Sequence, residues 1–494
     1  MKQFFSLITI VSLCSLCAAA QSGREMQLSL DDAIAMARVR SVDAAEALDE
    51  LKSSYWEWRS FRAEQLPELN FKATLPAYAR QYSSYMNEDG SFSFVRTNYL
   101  QASGQLSLSQ NIPLTGGKVS VTSSLDFLRQ YDGMTGNRFM SIPVAISLSQ
   151  PLFGVNTMKW DRKIEPVRYA EAKAAFLSAT EDVARLTVDY YFTLLMSREN
   201  VEISRQNLEN AERLYAVAQE KREMGMISQN DLLQMELNVI DAQSALTDNL
   251  SELKSDMFRL RTFLDLGEDV DIIPIIPEEV PRADIDFRDA LDHALANNKF
   301  AKNMLRLQLE ADYDVAKAKG DLREIELFVQ LGYTGTDNDI NGAYKRLRAN
   351  EVASIGVSLP LVDWGKRRGK VKVAESKRRV TQSRINRETM NFNQNIFILV
   401  ERFTNQQQQL DLSIRAAEIA ARRYHTNVET YLIGMLATLE LNDSRVSKDN
   451  SRREYINQLY KFWNYWYQIR SLTLHDYASG GDINVDFEKY INFD

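Results

Sequence analysis

The chain has 494 residues, with 59 Lys and Arg against 67 Asp and Glu and a formal net charge of -8. That length can hold several ordinary domains, and an acidic balance without a strongly basic region argues against nucleic acid as a partner. The only two cysteines, Cys14 and Cys17, sit close to the N-terminus.

Lys2 precedes an apolar run from Phe4 to Cys17, and Ala18, Ala19 and Ala20 offer small residues for cleavage before Gln21. This pattern predicts a secretory signal peptide over 1–20; the run is short for a membrane anchor. Neither cysteine follows the small residue expected of a lipoprotein signal. The mature chain is then free of cysteine, which excludes disulfides, cysteine-held metal and thiol catalysis. After Gln21 no apolar run reaches about 18 residues, so no transmembrane helix is expected. A β-barrel escapes that test, because its strands alternate.

The segment LSLDDAIAMA (28–37) reads as a short strand-like lead into a helix. A stretch of period two follows, over about 68–152. Phe71, Ala73 and Leu75 alternate with Asn70, Lys72 and Thr74. Val119, Val121, Leu125 and Phe127 alternate with Ser120, Thr122, Ser124 and Asp126. Ile142, Val144, Ile146 and Leu148 alternate with Ser141, Pro143, Ala145 and Ser147. Such strands carry one apolar and one polar or small face. Both a half-buried soluble sheet and a lipid-facing barrel have that grammar. Tyr78, Tyr82, Tyr85, Phe92, Phe94 and Tyr99 stand where an interfacial aromatic girdle would lie, and 87–90 reads as a loop.

From Pro166 to Pro274 the only glycines are Gly225 and Gly267. Proline breaks helices and glycine weakens them, so about 157–265 reads as a long helical hairpin turning at Gly225. As one helix, Thr157 to Met224 would run roughly 100 Å at about 1.5 Å per residue. Val239, Ala242, Leu246, Leu250, Leu253, Met257, Leu260 and Leu264 make a seam of spacing 3 and 4, the pattern of helices packed as coiled coils.

Residues 268–282, with three prolines, read as a linker. The same order then returns. IDFRDALDHA (285–294) answers LSLDDAIAMA, and strands are expected over about 325–362, where Ile355, Val357 and Leu359 alternate with Ser354, Gly356 and Ser358. A second hairpin, about 366–475, turns at Gly434, with a seam from Val400 through Phe403, Gln407, Leu410, Ile414, Ala417, Ala421, Tyr424 and Val428 to Tyr431. SLSQPLF (147–153) matches GVSLPLV (356–362), and VRYAEAK (167–173) matches VKVAESK (371–377). The tips agree as well: Gly225-Met226-Ile227 is followed by Asp231 as Gly434-Met435-Leu436 is followed by Glu440. The chain is therefore read as two repeats, 21–267 and 283–479, with a tail over 480–494. The first repeat holds extra strand-like segments around 116–133.

These duplicated openings, strand-to-helix junctions and tips resemble the TolC-type outer-membrane efflux proteins over nearly all of the mature chain. The run from SLSQNIPLTGGKVSV to SQPLFGVNTMKWD is similar to the branch found in Bacteroidetes-type bacteria. The resemblance implies a mostly α fold with a membrane β-barrel part. It would be a homotrimer, with one shared transmembrane barrel in outer-membrane lipid and one α-helical tunnel in the periplasm. Family members give four strands per protomer, hence twelve per trimer. It also implies partners, namely a periplasmic adaptor and an inner-membrane RND or ABC transporter, and the role of a passive exit duct in efflux or type I secretion. No enzyme activity, cofactor or nucleic acid is implied. The alternative reading is a periplasmic coiled-coil scaffold or adaptor without a pore.

By the same resemblance the gating tyrosine falls on Tyr431 and the gating aspartate on Asp231. The acidic rings that select cations fall on Glu440 and Asp443. Solvated helix-face charges are the bland reading of these residues. Some members pair the gating aspartate with an arginine where this chain has Leu436; Arg222 and Arg445 are the nearby candidates to replace it. The apolar tips Gly225, Met226, Ile227, Gly434, Met435 and Leu436 suggest a docking partner, against the reading of plain capping turns. The basic run Lys366, Arg367, Arg368 and Lys370 could bind nucleic acid or anionic lipid head groups, but reads better as the solvated barrel-to-helix junction. The cluster Phe462, Trp463, Tyr465, Trp466 and Tyr467 reads as packing. His293, His425 and His475 show no metal-ligand spacing, and no nucleophile elbow or phosphate loop is present.

Overall fold

The computed structural model describes residues 24–491 apart from 87, 133–134, 323, 359–361, 433–434 and 437. The expected signal peptide and both cysteines lie outside the described residues. Strand β1 (Arg24–Leu28) leads into α1 (Leu30–Arg40) and α2 (Val42–Ala63), followed by β2 (Glu68–Met86), β3 (Phe92–Ile112), β4 (Gly117–Gln130) and β5 (Gly136–Pro151). Helices α3 (Thr157–Glu223) and α4 (Gln229–Phe263) form the first hairpin. Then come β6 (Val270–Pro274), α5 (Phe287–Asn297), α6 (Lys299–Gly320), β7 (Glu324–Asp337), the short α7 (Ile340–Lys345) and β8 (Leu347–Ser358). The second hairpin is α8 (Lys366–Leu432) with α9 (Thr438–Thr473), and the chain closes with β9 (His475–Asp476), β10 (Gly481–Asp482) and α10 (Phe487–Ile491). Among the described residues no helix is long and apolar enough to cross a membrane.

The duplication extends to helix length. α1 and α5 both have 11 residues, α2 and α6 both have 22, and α3 and α8 both have 67. The expected order of one short helix before the strands missed α2 and α6. One extended residue, Ser41 or Asn298, breaks each pair while its N–H still bonds the last turn, at the Ala37 or Ala294 carbonyl. The expected linker also holds regular structure, since β6 pairs in parallel with β1.

The chain divides into two compact units, each drawn from both repeats: 24–52, 172–301 and 390–491 in the first, 53–171 and 302–389 in the second. The second unit carries one six-stranded antiparallel sheet in the order β2-β3-β4-β5-β7-β8. Strand β4, from the extra segment of the first repeat, pairs along its length with both neighbours. The chain therefore contributes six strands, not the four that the resemblance implied.

Register separates the two faces. One row across the sheet runs Leu69, Leu108, Val121, Ile146, Leu331, and ends at Glu351. The adjacent row runs Asn70, Ser107, Thr122, Ala145, Gly332, Asn350. On the apolar face Leu69, Phe71, Tyr78, Tyr82, Phe92, Phe94, Ile146, Leu331 and Ile355 are all exposed, each by more than half its surface. Tyr99 does not join that girdle: it pairs with Ala79, one residue out of phase with Tyr78 and Leu100, and so stands on the polar face. Pro76 and Pro143, which lack a ladder donor, fall where the register shifts at 74–77 and 141–144, the positions a strand proline tolerates. In the same unit α6 is tied to α3 and α8. Arg306 bonds Glu171 at 2.7 Å and Glu310 at 2.9 Å, and Arg378 meets Asp312 at 2.7 Å.

The first unit holds the main hydrophobic core. Tyr191, Leu194, Leu260, Ile272, Phe403, Ile456 and Phe462 are fully buried there. Buried Tyr191 donates within reach of two carbonyls, Leu28 at 2.9 Å and Ile275 at 2.5 Å, and so fastens α3 to the β1–β6 pair. Glu181, buried on α3, receives Arg38 from α1 at 2.6 Å and Arg470 from α9 at 2.9 Å. The seam of α8 is internal at Val400, Phe403 and Leu410 and becomes more exposed towards Ala421. Another set of apolar residues stays exposed on the long helices: Leu233 and Ile240, Met390 and Phe397, Leu412 and Ile419. Each pair is seven residues apart, the spacing of an unfilled coiled-coil seam.

Candidate gate at the hairpin tips

Both tips are built by helix-capping chemistry. At the first, Gly225 takes φ 75, a left-handed conformation open to glycine. The Met226 N–H donates to the Lys221 carbonyl at 2.8 Å and the Gly225 N–H to Arg222 at 3.0 Å. This pair of bonds is the Schellman motif that ends α3. At the second tip the Met435 N–H donates to Thr430 at 3.1 Å, the same span as Met226 to Lys221. Gly434 itself lies outside the described residues, as does the side chain of Tyr431 near the end of α8. Met226 and Met435 are exposed, as is Gly225; Ile227 and Leu436 are half-buried.

Asp231 is engaged in its own helix. Its N–H donates to the Ser228 hydroxyl at 3.1 Å while the Ser228 N–H and hydroxyl donate to its carboxylate at 3.0 and 2.7 Å. This is a capping box. The hydroxyl bond from Ser228, then its N–H, hold the Asp231 carboxyl below its ordinary value. Arg222 bonds Gln229 and Arg445 bonds Asn442, so the arginines considered as lock partners are turned to neighbours on their own hairpins.

The two acidic positions behind the second tip differ. Glu440 is exposed in the first turn of α9, where the helix dipole favours a carboxylate. Asp443 meets Arg423 of α8 at 2.8 Å. Among the described residues no hydrogen bond or ion pair joins Asp231 to Glu440 or Asp443. Deeper between the hairpins is a group that the sequence did not single out. Buried Asp449 accepts from Asn207 at 3.1 Å, Lys448 lies over the Tyr424 ring at 4.8 Å, and Asn210 bonds the Tyr424 hydroxyl at 3.3 Å.

The other motifs prove structural. The basic run opens α8: Asp363 accepts from the Gly365 and Arg367 N–H groups, and the Arg367 side chain donates to the Asp321 carbonyl at 2.9 Å. Phe462, Trp463, Trp466 and Tyr467 are buried against the core, with the Phe403 ring tilted against Phe462 at 5.4 Å.

One six-stranded antiparallel sheet with an exposed apolar face and two long helical hairpins are the parts to be compared with known proteins. Residues 33–265 match the outer membrane efflux protein family. The fold is similar to the CmeC outer membrane channel of Campylobacter jejuni, with TM-score 0.64 and 15% identity over 94% of this chain and 88% of that one. It is also similar to VceC of Vibrio cholerae, with TM-score 0.61 and 14% identity over 92% and 97%, and to the open-state MtrE channel of Neisseria gonorrhoeae, with 0.57 and 13% over 90% and 88%. No curated protein matches. Residues 33–265, a little under half of the chain, thus resemble the outer membrane efflux protein family, and the fold as a whole is that of these solved outer membrane channels.

Proposed function

We propose that three copies of this chain form the passive exit duct of a tripartite efflux or secretion machine. The carrying observation is the six-stranded sheet. Its exposed face is apolar, its other face polar, and β2 and β8 each have a neighbour on one side only. Unpaired strand edges are not tolerated in lipid, so β2 of one copy pairs with β8 of the next. Six strands from each of three copies give eighteen in the closed barrel. Barrel width grows roughly in proportion to strand number, so this barrel is about half as wide again as one of twelve strands.

The exposed heptad-spaced residues Leu233, Ile240, Met390, Phe397, Leu412 and Ile419 supply the seams between copies in the tunnel. Tyr431, Asp231, Glu440 and Asp443 line the periplasmic entrance, the last two as rings of three carboxylates that favour cations. Gly225, Met226, Ile227, Gly434, Met435 and Leu436 form the docking surface for the hairpin of a periplasmic adaptor, and an RND or ABC transporter supplies the energy. The repeat boundaries follow the two hairpins, 21–267 and 283–479.

Cysteines placed singly on β2 and β8 test the closure, because the mature chain brings none of its own. Oxidation in outer-membrane vesicles should link copies into a covalent trimer for β2–β8 pairs and for no β3–β5 control. Monomers throughout, with soluble behaviour in the absence of detergent, would favour a poreless scaffold.

A further inference from the structure

Two of the three histidines, distant in sequence, meet on one carboxylate beside α5. The corner is built before they arrive. Asn298, the C-cap of α5, donates to the Ser471 and Leu472 carbonyls at 3.2 and 2.9 Å, capping the end of α9. Leu474, with φ 49, ends that helix. The β9–β10 pair then sets His475 opposite Asp482. His475 Nδ1 lies 2.8 Å from Asp482 Oδ1, and His293 Nδ1 of α5 lies 3.2 Å from the same oxygen. The imidazole rings stack at 3.9 Å with 25° between their planes.

Two imidazole nitrogens and one carboxylate oxygen, from three separate segments, lie within 4.8 Å of one another. A tetrahedral zinc with bonds of about 2.0–2.1 Å holds its donors about 3.3 Å apart, so small movements of these side chains would admit the ion. The donor set of two nitrogens and one oxygen suits zinc and its neighbours and is unsuited to calcium or magnesium. Asp289 Oδ1 stands 3.6 Å from the far nitrogen of His293, in the place of the outer carboxylate that orients a metal-bound histidine. The Asp289 and Asp482 carboxylates together balance a divalent charge. Access is graded: His475 is 11% exposed, His293 29% and Asp482 52%, which leaves a fourth position to water.

We propose that His293, His475 and Asp482 form a zinc-class metal site that pins the segment after α9 to α5. The proposal does not depend on the gate or on the duct reading. Its test uses the full-length protein in detergent, free of any histidine tag, stripped with EDTA and titrated with zinc chloride by calorimetry and thermal unfolding. Uptake of one zinc per chain with a raised melting midpoint is expected. His293→Gln and Asp482→Asn should each abolish stoichiometric uptake with the helical content retained by circular dichroism, and Asp289→Asn should weaken it roughly 10-fold to 100-fold. His425→Gln, a change at the exposed third histidine, should bind as the parent does. Equal affinity in the parent and Asp482→Asn, no uptake by the parent, or loss of uptake on changing His425 would overturn the proposal.

Discussion

Asp231 is a carboxylate whose first obligation is local. The Ser228 bonds that lower its pKa act only on the charged form, so their contribution is full above the ordinary aspartate value of 3.8. It is lost as pH falls through the lower folded value. Amide protection at Ser228 to Leu232 should therefore hold through mild acid and collapse only in strong acid, as followed by hydrogen exchange; a collapse near neutral pH would contradict the capping box. The cation filter proposed at Glu440 and Asp443 would divide unevenly. Arg423 lies 2.8 Å from Asp443 and offsets part of its charge, while among the described residues no ion pair is found at Glu440. Glu440→Ala should reduce cation preference, read as the reversal potential in a salt gradient, more than Asp443→Ala does. Arg423→Gln should increase it. Equal reversal potentials in all three variants would sink the filter assignment.

At the scale of the element, buried charge holds the helices in register. Removing one partner of a buried ion pair typically costs about 3–5 kcal/mol, so Glu181→Ala, which takes the carboxylate from Arg38 and leaves Arg470 only Asp476, should lower the thermal midpoint of the protein. A midpoint like the parent's would mean that the α1–α3–α9 junction is held by packing alone. Ser228→Ala removes a helix cap and should cost about 1 kcal/mol, confined to the first turn of α4 in hydrogen exchange. The long hairpins were legible in the sequence because proline and glycine are scarce in them, and the strands because polar and apolar residues alternate. Helices α2 and α6 were missed because Ser41 and Asn298, single extended residues, divide what otherwise reads as one helix and its exit. The extra segments around 116–133 were legible as strands, yet their place in the sheet was not, because pairing partners are fixed by register and not by composition. The histidine pair was invisible for the same reason: the packing of α5 against the end of α9 brings His293 to His475, and no spacing in the sequence records that.

At the scale of the molecule, the two repeats have nearly equal long helices and unequal strands. The first gives four strands to the sheet and the second two, so the helical part could keep its symmetry while the sheet grew by one hairpin through the short turn between β3 and β4. In the trimer proposed above, a wide barrel and a narrow tip region then conduct one after the other, as resistors in series. The larger resistance governs the current. Asp126→Asn, on the polar sheet face, should leave single-channel conductance unchanged, whereas Met226→Glu with Met435→Glu, which loosens the tips by charge repulsion, should raise it. If the barrel substitution changed conductance as much as the tip substitutions, the narrow point would lie in the sheet. In such a duct, widening the barrel would add little flow of small ions; it would relax the size limit on cargo only at the last step, beyond the proposed entrance.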